Sequence, residues 1–125
     1  MHALRLLHRS LVAGGVLLDL QPALADSLVL AGGEPAGRLD ERGFQRDLVA
    51  TAEGLDVALS EGLFVLEDEV WLDIVHRFEE GAELVAEVSG WRGVRVPPEL
   101  VRRVEAGRAP CEVVETCTLR RLQAC

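Results

Sequence analysis

The 125-residue chain has no lysine, no tyrosine and no asparagine. Without lysine it has no amine for Schiff-base chemistry, and without tyrosine it has no phenolic acid. Every one of its 13 basic residues is arginine. The bias towards Ala, Gly, Val, Leu, Arg, Asp and Glu is that of a GC-rich coding sequence, so the missing lysines carry no functional meaning. Aromatic residues make up only 4%, which requires an aliphatic core. No run approaches the roughly 18 apolar residues that a spanning helix needs. Cysteines are few: Cys111, Cys117 and Cys125. The first two fall on one predicted strand, where six steps of about 3.3 Å hold them roughly 20 Å apart, well beyond the reach of a disulfide. They are expected to be reduced and to act as small buried hydrophobes. The spacing C-x5-C, with no second pair and no nearby histidine, is also a poor zinc template.

What is present is ordinary for a globular protein: 49% hydrophobic and 27% charged residues. A chain of this length is expected to form one domain, residues 1–125, that hides about two thirds of its unfolded surface. The formal net charge is −8, and the arginines are scattered among carboxylates. A polyanion would be repelled, so neither nucleic acid nor an anionic membrane is expected as a partner. With reduced cysteines, the expected location is cytoplasmic. A rival reading takes Arg5, Arg9, the apolar run Leu11 to Leu18 and Ala23-Leu24-Ala25 as a signal peptide with its cleavage site. Asp19 and the Gly14-Gly15 pair interrupt that run, and an odd cysteine count suits an exported protein poorly.

The order of elements follows from periodicity. Leu4, Leu7 and Leu11 share one helix face within residues 3–12, and Gly14-Gly15 ends that helix. Val16 to Leu20 reads as a short, almost wholly apolar buried strand. Ser27 to Ala31 and Ala36 to Leu39 flank Gly32-Gly33-Glu34-Pro35 as a β-hairpin. The same glycines do not make a phosphate loop, because Glu34 would face the phosphate and no helix follows. Phe44, Leu48, Ala52, Leu55 and Leu59 predict a helix over 42–61, with Asp40 as its cap and Gly62 as its stop. Residues 63–78 place Phe64, Leu66, Val70, Leu72, Ile74, His76 and Phe78 on one parity of a long strand. Asp68 is the misfit, at a bulge or an exposed edge. A short helix through Leu84, Val85 and Val88 follows, then a Pro97-Pro98-initiated helix through Leu100, Val101 and Val104. The last strand covers 111–122.

Chemistry-bearing residues are sparse, and no catalytic, cofactor-binding or metal-binding residue is assigned. His76 precedes Glu79 and Glu80, yet it has no nucleophile or metal-ligand partner in sequence and reads as a hydrogen-bonded core residue. His2 and His8 do not share a helix face. Glu67, Glu69 and Asp73 on one strand face, and Glu79, Glu83 and Glu87 at i, i+4, read as solvated faces, since no loop of closely spaced oxygen ligands accompanies them. Asp19 and Gln21 end the first strand, where ligands dock in open α/β sheets; the plainer role for Asp19 is to cap a neighbouring loop. Ser10, Ser27, Ser60 and Ser89 lie in no nucleophile elbow. Trp71 and Trp91 are either partner anchors or large core fillers, and the core role is the expected one.

The series helix, Gly-Gly turn, strand Val16-Leu17-Leu18-Asp19-Leu20, long helix, long strand, short helices and a final strand ending Leu119-Arg120-Arg121-Leu122 resembles the C-terminal half of class I S-adenosylmethionine-dependent methyltransferases. The family's turn before its fifth strand is matched by Leu6-Leu7 through Gly14-Gly15, with Val12-Ala13 in place of Arg-Pro. The resemblance implies an α/β (mixed α+β) fold: a truncated Rossmann-like methyltransferase sheet with an added β-hairpin and flanking helices. The family's cofactor loop and the acidic residue ending its second strand would lie before Met1. The expectation is therefore a non-catalytic interaction or oligomerisation module without cofactor. The alternative is a subunit or fragment of a methyltransferase that another chain completes, with S-adenosylmethionine bound only then. In the family the fifth strand is paired by the fourth and the seventh, so here Val16 to Leu20 would have a bare edge. A homo-oligomer or a protein partner is expected to cover it, unless the hairpin at 27–39 does.

Overall fold

The computed structural model describes residues 2–23 and 26–125. The Ala23-Leu24-Ala25 cleavage motif thus falls largely outside the described residues. The elements run α1 (His2–Ser10), β1 (Val16–Pro22), β2 (Leu28–Ala31), β3 (Glu34–Arg38), α2 (Arg42–Ser60), β4 (Phe64–Phe78), α3 (Gly81–Val88), α4 (Pro98–Ala106) and β5 (Cys111–Ala124). Among the described residues this is a mixed α+β fold of four helices and one five-stranded antiparallel sheet. β5 pairs with β1, β2 and β4, while β3 pairs only with β2. An open Rossmann-like sheet is mostly parallel. The pairings of β1 with β5, β2 with β5 and β2 with β3 are all antiparallel.

The chain separates into two compact units, one of residues 2–23, 47–72 and 117–125, the other of 26–46 and 73–116. α2, β4 and β5 contribute to both. On β5 the fully buried positions are Cys111, Val113 and Cys117 in the first stretch, then Thr118, Leu122 and Ala124.

In the first unit the core is Leu55, Ala58, Phe64, Leu122 and Ala124, with Leu4, Leu11, Leu17, Leu59 and Leu63 packed against it. The α1 stripe is narrower than its periodicity predicts, because Leu7 is exposed beside Leu6. Gly14 N–H donates to the Ala124 carbonyl, and Ala124 N–H donates to that of Gly15, which fixes the start of the β1–β5 ladder. From there the register runs Val16↔Gln123 to Pro22↔Cys117. Arg5 reaches Glu61 at 3.0 Å, and the His8 ring meets Phe64 edge-on at 5.5 Å.

The second unit buries Val29, Leu39, Leu84, Val88, Val96, Leu100, Val104, Cys111 and Val113. Each such side chain contributes about 1.5–3 kcal/mol relative to an exposed one. The hairpin is two residues earlier on its return strand than its pattern predicts. Gly32 and Gly33 both have positive φ, 58° and 81°, as a primed two-residue turn requires. The hairpin pairs with residues 111–114 of β5, from Leu28↔Val114 to Ala31↔Cys111, and not with β1. Cys111 and Cys117 are both buried, as expected of small hydrophobes, and burial pushes the Cys111 thiol pKa up.

Asp40 takes part in the start of α2 as predicted. Its carboxylate accepts Arg42 N–H at 3.1 Å and the Arg42 guanidinium at 2.8 Å, while Glu41 supplies the carbonyl for the first helical bonds. The Arg42 side-chain bond first, then its backbone bond, lowers the Asp40 pKa from 3.8 to about 2. A carboxylate whose folded pKa is depressed adds stability that is complete above its unfolded value and is lost as pH falls through the folded one. Asp40→Asn is therefore expected to lower Tm slightly above pH 4, with the two Tm curves drawing together as pH falls towards 2 and meeting only below it. Tm against pH from 1.5 to 7 checks this.

Candidate functional site

In the second unit, β4 and α3 form an open cleft of about 460 Å³ lined by His76, Phe78, Glu83, Glu87 and Trp91 among others. His76 Nε2 lies 2.8 Å from Glu115 Oε2 on β5, and its ring packs 5.0 Å from that of Trp91. His76 is thus the hydrogen-bonded residue expected from sequence, half-buried rather than fully enclosed. The Glu83 carboxylate accepts Glu79 N–H, and Glu79 lies before α3, so the i, i+4 series does not continue as one helical face. No serine, cysteine or threonine nucleophile lines this cleft. Among the described residues no group of three His, Cys, Asp or Glu side chains could hold a metal ion.

In the first unit, the charged residues of the sheet face each other across strands. Asp19 on β1 lies 3.7 Å from Arg120 on β5, and Arg120 Nε donates to Glu69 on β4 at 3.2 Å. Gln21 donates to Asp19 Oδ1 at 2.9 Å. At 3.7 Å the contact to Oδ2 is an ion pair without a hydrogen bond, and that buried oxygen has no hydrogen-bond partner. Asp19 and Gln21 are therefore turned into a row of charges along the sheet, not into a loop cap.

Neighbouring Arg121 pairs instead with Glu67, at 2.7 Å. Arg120 and Arg121 point to opposite faces of β5, so Glu67 and Glu69 do too. In a regular strand residues 67 and 69 would share a face. The expectation that Glu67, Glu69 and Asp73 form one acidic face is thereby overturned; the even parity holds at Phe64 and from Leu72 to Phe78, where even positions are the more buried, and fails at Leu66 and Val70, which are exposed. The cause is a bulge at Asp68, whose carboxylate accepts Glu69 N–H at 2.9 Å. Phe64 enters the core, and Val65 beyond it and Val70 after the bulge lie on the opposite, open face.

That open face is apolar. Leu17 packs into the core and pairs with buried Leu122, whereas Val16, Leu18 and Leu20 alternate to the other side. They are 41%, 63% and 52% exposed, and half-buried Leu119 lies directly opposite Leu20. The Arg121–Glu67 pair supplies one charge of each sign beside this row. The predicted fully buried strand is thus bare on one face. Trp71 departs from expectation in the same way: it is 61% exposed, with its Nε1 donating to Glu69 at 3.3 Å, while only Trp91 packs against a core.

β1 has a bare edge as well. Among the described residues its strand partner is β5 alone. The continuous apolar pattern of 16–20 signalled a demand for burial, and among the described residues that demand is left unmet on one face. Among the described residues, no helix is long and apolar enough to cross a membrane. No family model, no curated protein and no solved structure matches the chain.

Proposed function

We propose that this chain is a non-catalytic, cytoplasmic interaction or oligomerisation module whose working surface is β1 with its neighbours on β4 and β5. The observation that carries this reading is the row Val16, Leu18 and Leu20, apolar and 41–63% exposed on a strand with one unpaired edge. An apolar face joined to a bare edge is a liability that proteins cover, and contiguous exposed apolar surface marks interaction sites. The cleft at His76 supports no competing catalytic reading, since its histidine is engaged by Glu115 and no nucleophile adjoins it. In this role the chain needs no cofactor, and its partner is a protein, not nucleic acid or membrane.

A second reading rests on one further observation. β1 pairs antiparallel with the last strand, β5, which corresponds to the fifth-to-seventh strand pairing of the methyltransferases the sequence resembles. On this reading the chain is the truncated Rossmann-like half of an S-adenosylmethionine-dependent enzyme completed in trans. Native mass spectrometry of protein isolated from its own host at gentle ionic strength tests both. An assembly without added small-molecule mass is the expected result. A complex carrying the mass of S-adenosylmethionine or its demethylated product would replace the first reading with the second, and a protein that is monomeric at every concentration and carries no partner from its host would remove the first.

A further inference from the structure

We infer that the bare edge of β1 is the seam of a symmetric dimer, in which β1 pairs antiparallel with β1 of a second copy and Leu18 lies on the two-fold axis. This rests on the interaction-module reading and names its partner. The ladder geometry selects the register. Ala124 bonds to the Gly14–Gly15 turn, and in an antiparallel ladder hydrogen-bonded pairs recur at every second residue. Leu17, Asp19 and Gln21 therefore direct their backbone groups to Leu122, Arg120 and Thr118 of β5. Val16, Leu18 and Leu20 direct theirs to the bare edge.

Three residues with one N–H and one C=O each must find partners. Pairing the edge with itself about Leu18 sets Leu18 against its own copy and Val16 against Leu20 of the copy, so every one of these groups is satisfied. Directly opposed residues share a face, so the two exposed apolar rows merge into one stripe. Asp19 then lies opposite Leu17 of the copy. Moving the axis one residue on, to Asp19, would oppose two carboxylates at the close non-hydrogen-bonded spacing and would set Val16 against Pro22, which has no N–H to give. Moving it one residue back, to Leu17, would set Leu20 against Gly14 and leave it without an apolar neighbour.

Charge favours a second copy at this seam. The chain carries −8, yet the segment from Val16 to Leu20 presents no charge on its open face, and the adjoining Arg121–Glu67 pair is neutral as a pair. A two-fold contact can therefore bring the row against itself without opposing like charges. The remaining repulsion is long-range, so association should tighten as salt rises.

The test compares the parent protein with Leu18→Lys and Leu18→Glu, singly and mixed, by sedimentation and by amide hydrogen exchange. Leu18 is 63% exposed, so neither substitution should disturb the fold, and protection of the Leu17, Asp19 and Gln21 amides reports that directly. The parent is expected to be a dimer and each variant to dissociate at least about 100-fold more readily. The mixture is expected to recover a 1:1 dimer, with opposite charges meeting on the axis. The Val16, Leu18 and Leu20 amides should be protected in the dimer and exchange freely in either variant alone. A dimer that survives Leu18→Lys, or in which those three amides exchange freely, overturns the seam and leaves the module reading intact. A parent protein that is monomeric at all concentrations overturns the seam too, and if it also captures no partner in its host, the module reading falls with it.

Discussion

Gly81→Ala is expected to destabilise the unit of residues 26–46 and 73–116 by about 3 kcal/mol or more, enough to remove much of the stability of a small domain. Gly81 opens α3 against α4. A Cβ built there would lie 1.9 Å from the Val104 carbonyl oxygen, 2.4 Å from its carbon and 2.9 Å from the Val104 Cβ. All three belong to backbone or to a fully buried side chain, so no rotamer change relieves the clash. The helices would have to part, and Leu84, Val88, Leu100 and Val104, which they bury between them and the sheet, would lose packing. Gly33→Ala is the control. Its φ of 81° disfavours a side chain, yet nothing lies within 4 Å of a Cβ there, so the loss should be only about 1 kcal/mol. Urea unfolding midpoints separate the two, and equal shifts would show that the α3–α4 contact yields easily.

That contact was not legible in the sequence. The helix through Leu84, Val85 and Val88 could be read from its spacing, but a glycine at the first position of a short helix looks like a boundary mark, and the backbone approach that requires it is tertiary. The same division holds elsewhere. The hairpin and the long helix were legible because turn chemistry and a 3.6-residue period are local. The bulge at Asp68 was only half legible: a polar residue interrupting an apolar parity signals an irregularity, while the reassignment of Glu67 and Glu69 to opposite faces depends on which arginine each meets across β5. The exposure of Trp71 and of the β1 row could not be read at all. Composition and period state how much apolar surface a segment carries, and only the assembled sheet reveals which of it the chain has enough helices to cover.

Arg120 carries the other large expected effect. Among the described residues it is the cation paired with both Asp19 and Glu69, in a row across three strands, and its side chain is only 22% exposed. Arg120→Met keeps most of its length and apolar stem, and leaves two carboxylates facing a position with no counter-charge. Removing one member of a well-buried ion pair costs about 3–5 kcal/mol; with solvent reaching part of this row, about 2 kcal/mol is expected at pH 7. The penalty is charge repulsion and lost solvation, so neutralising both carboxylates by substitution should remove it, whereas a packing loss would persist. Adding Asp19→Asn and Glu69→Gln to Arg120→Met should recover most of the stability at neutral pH, because the neutral row no longer needs a cation. The Asp19 oxygen that lacks a hydrogen-bond partner sharpens the expectation: with Arg120 gone, its nearest cation is lost as well. If the triple variant is no more stable than Arg120→Met, the arginine acts through its stem, packed on the sheet, and the charge row is incidental to the fold.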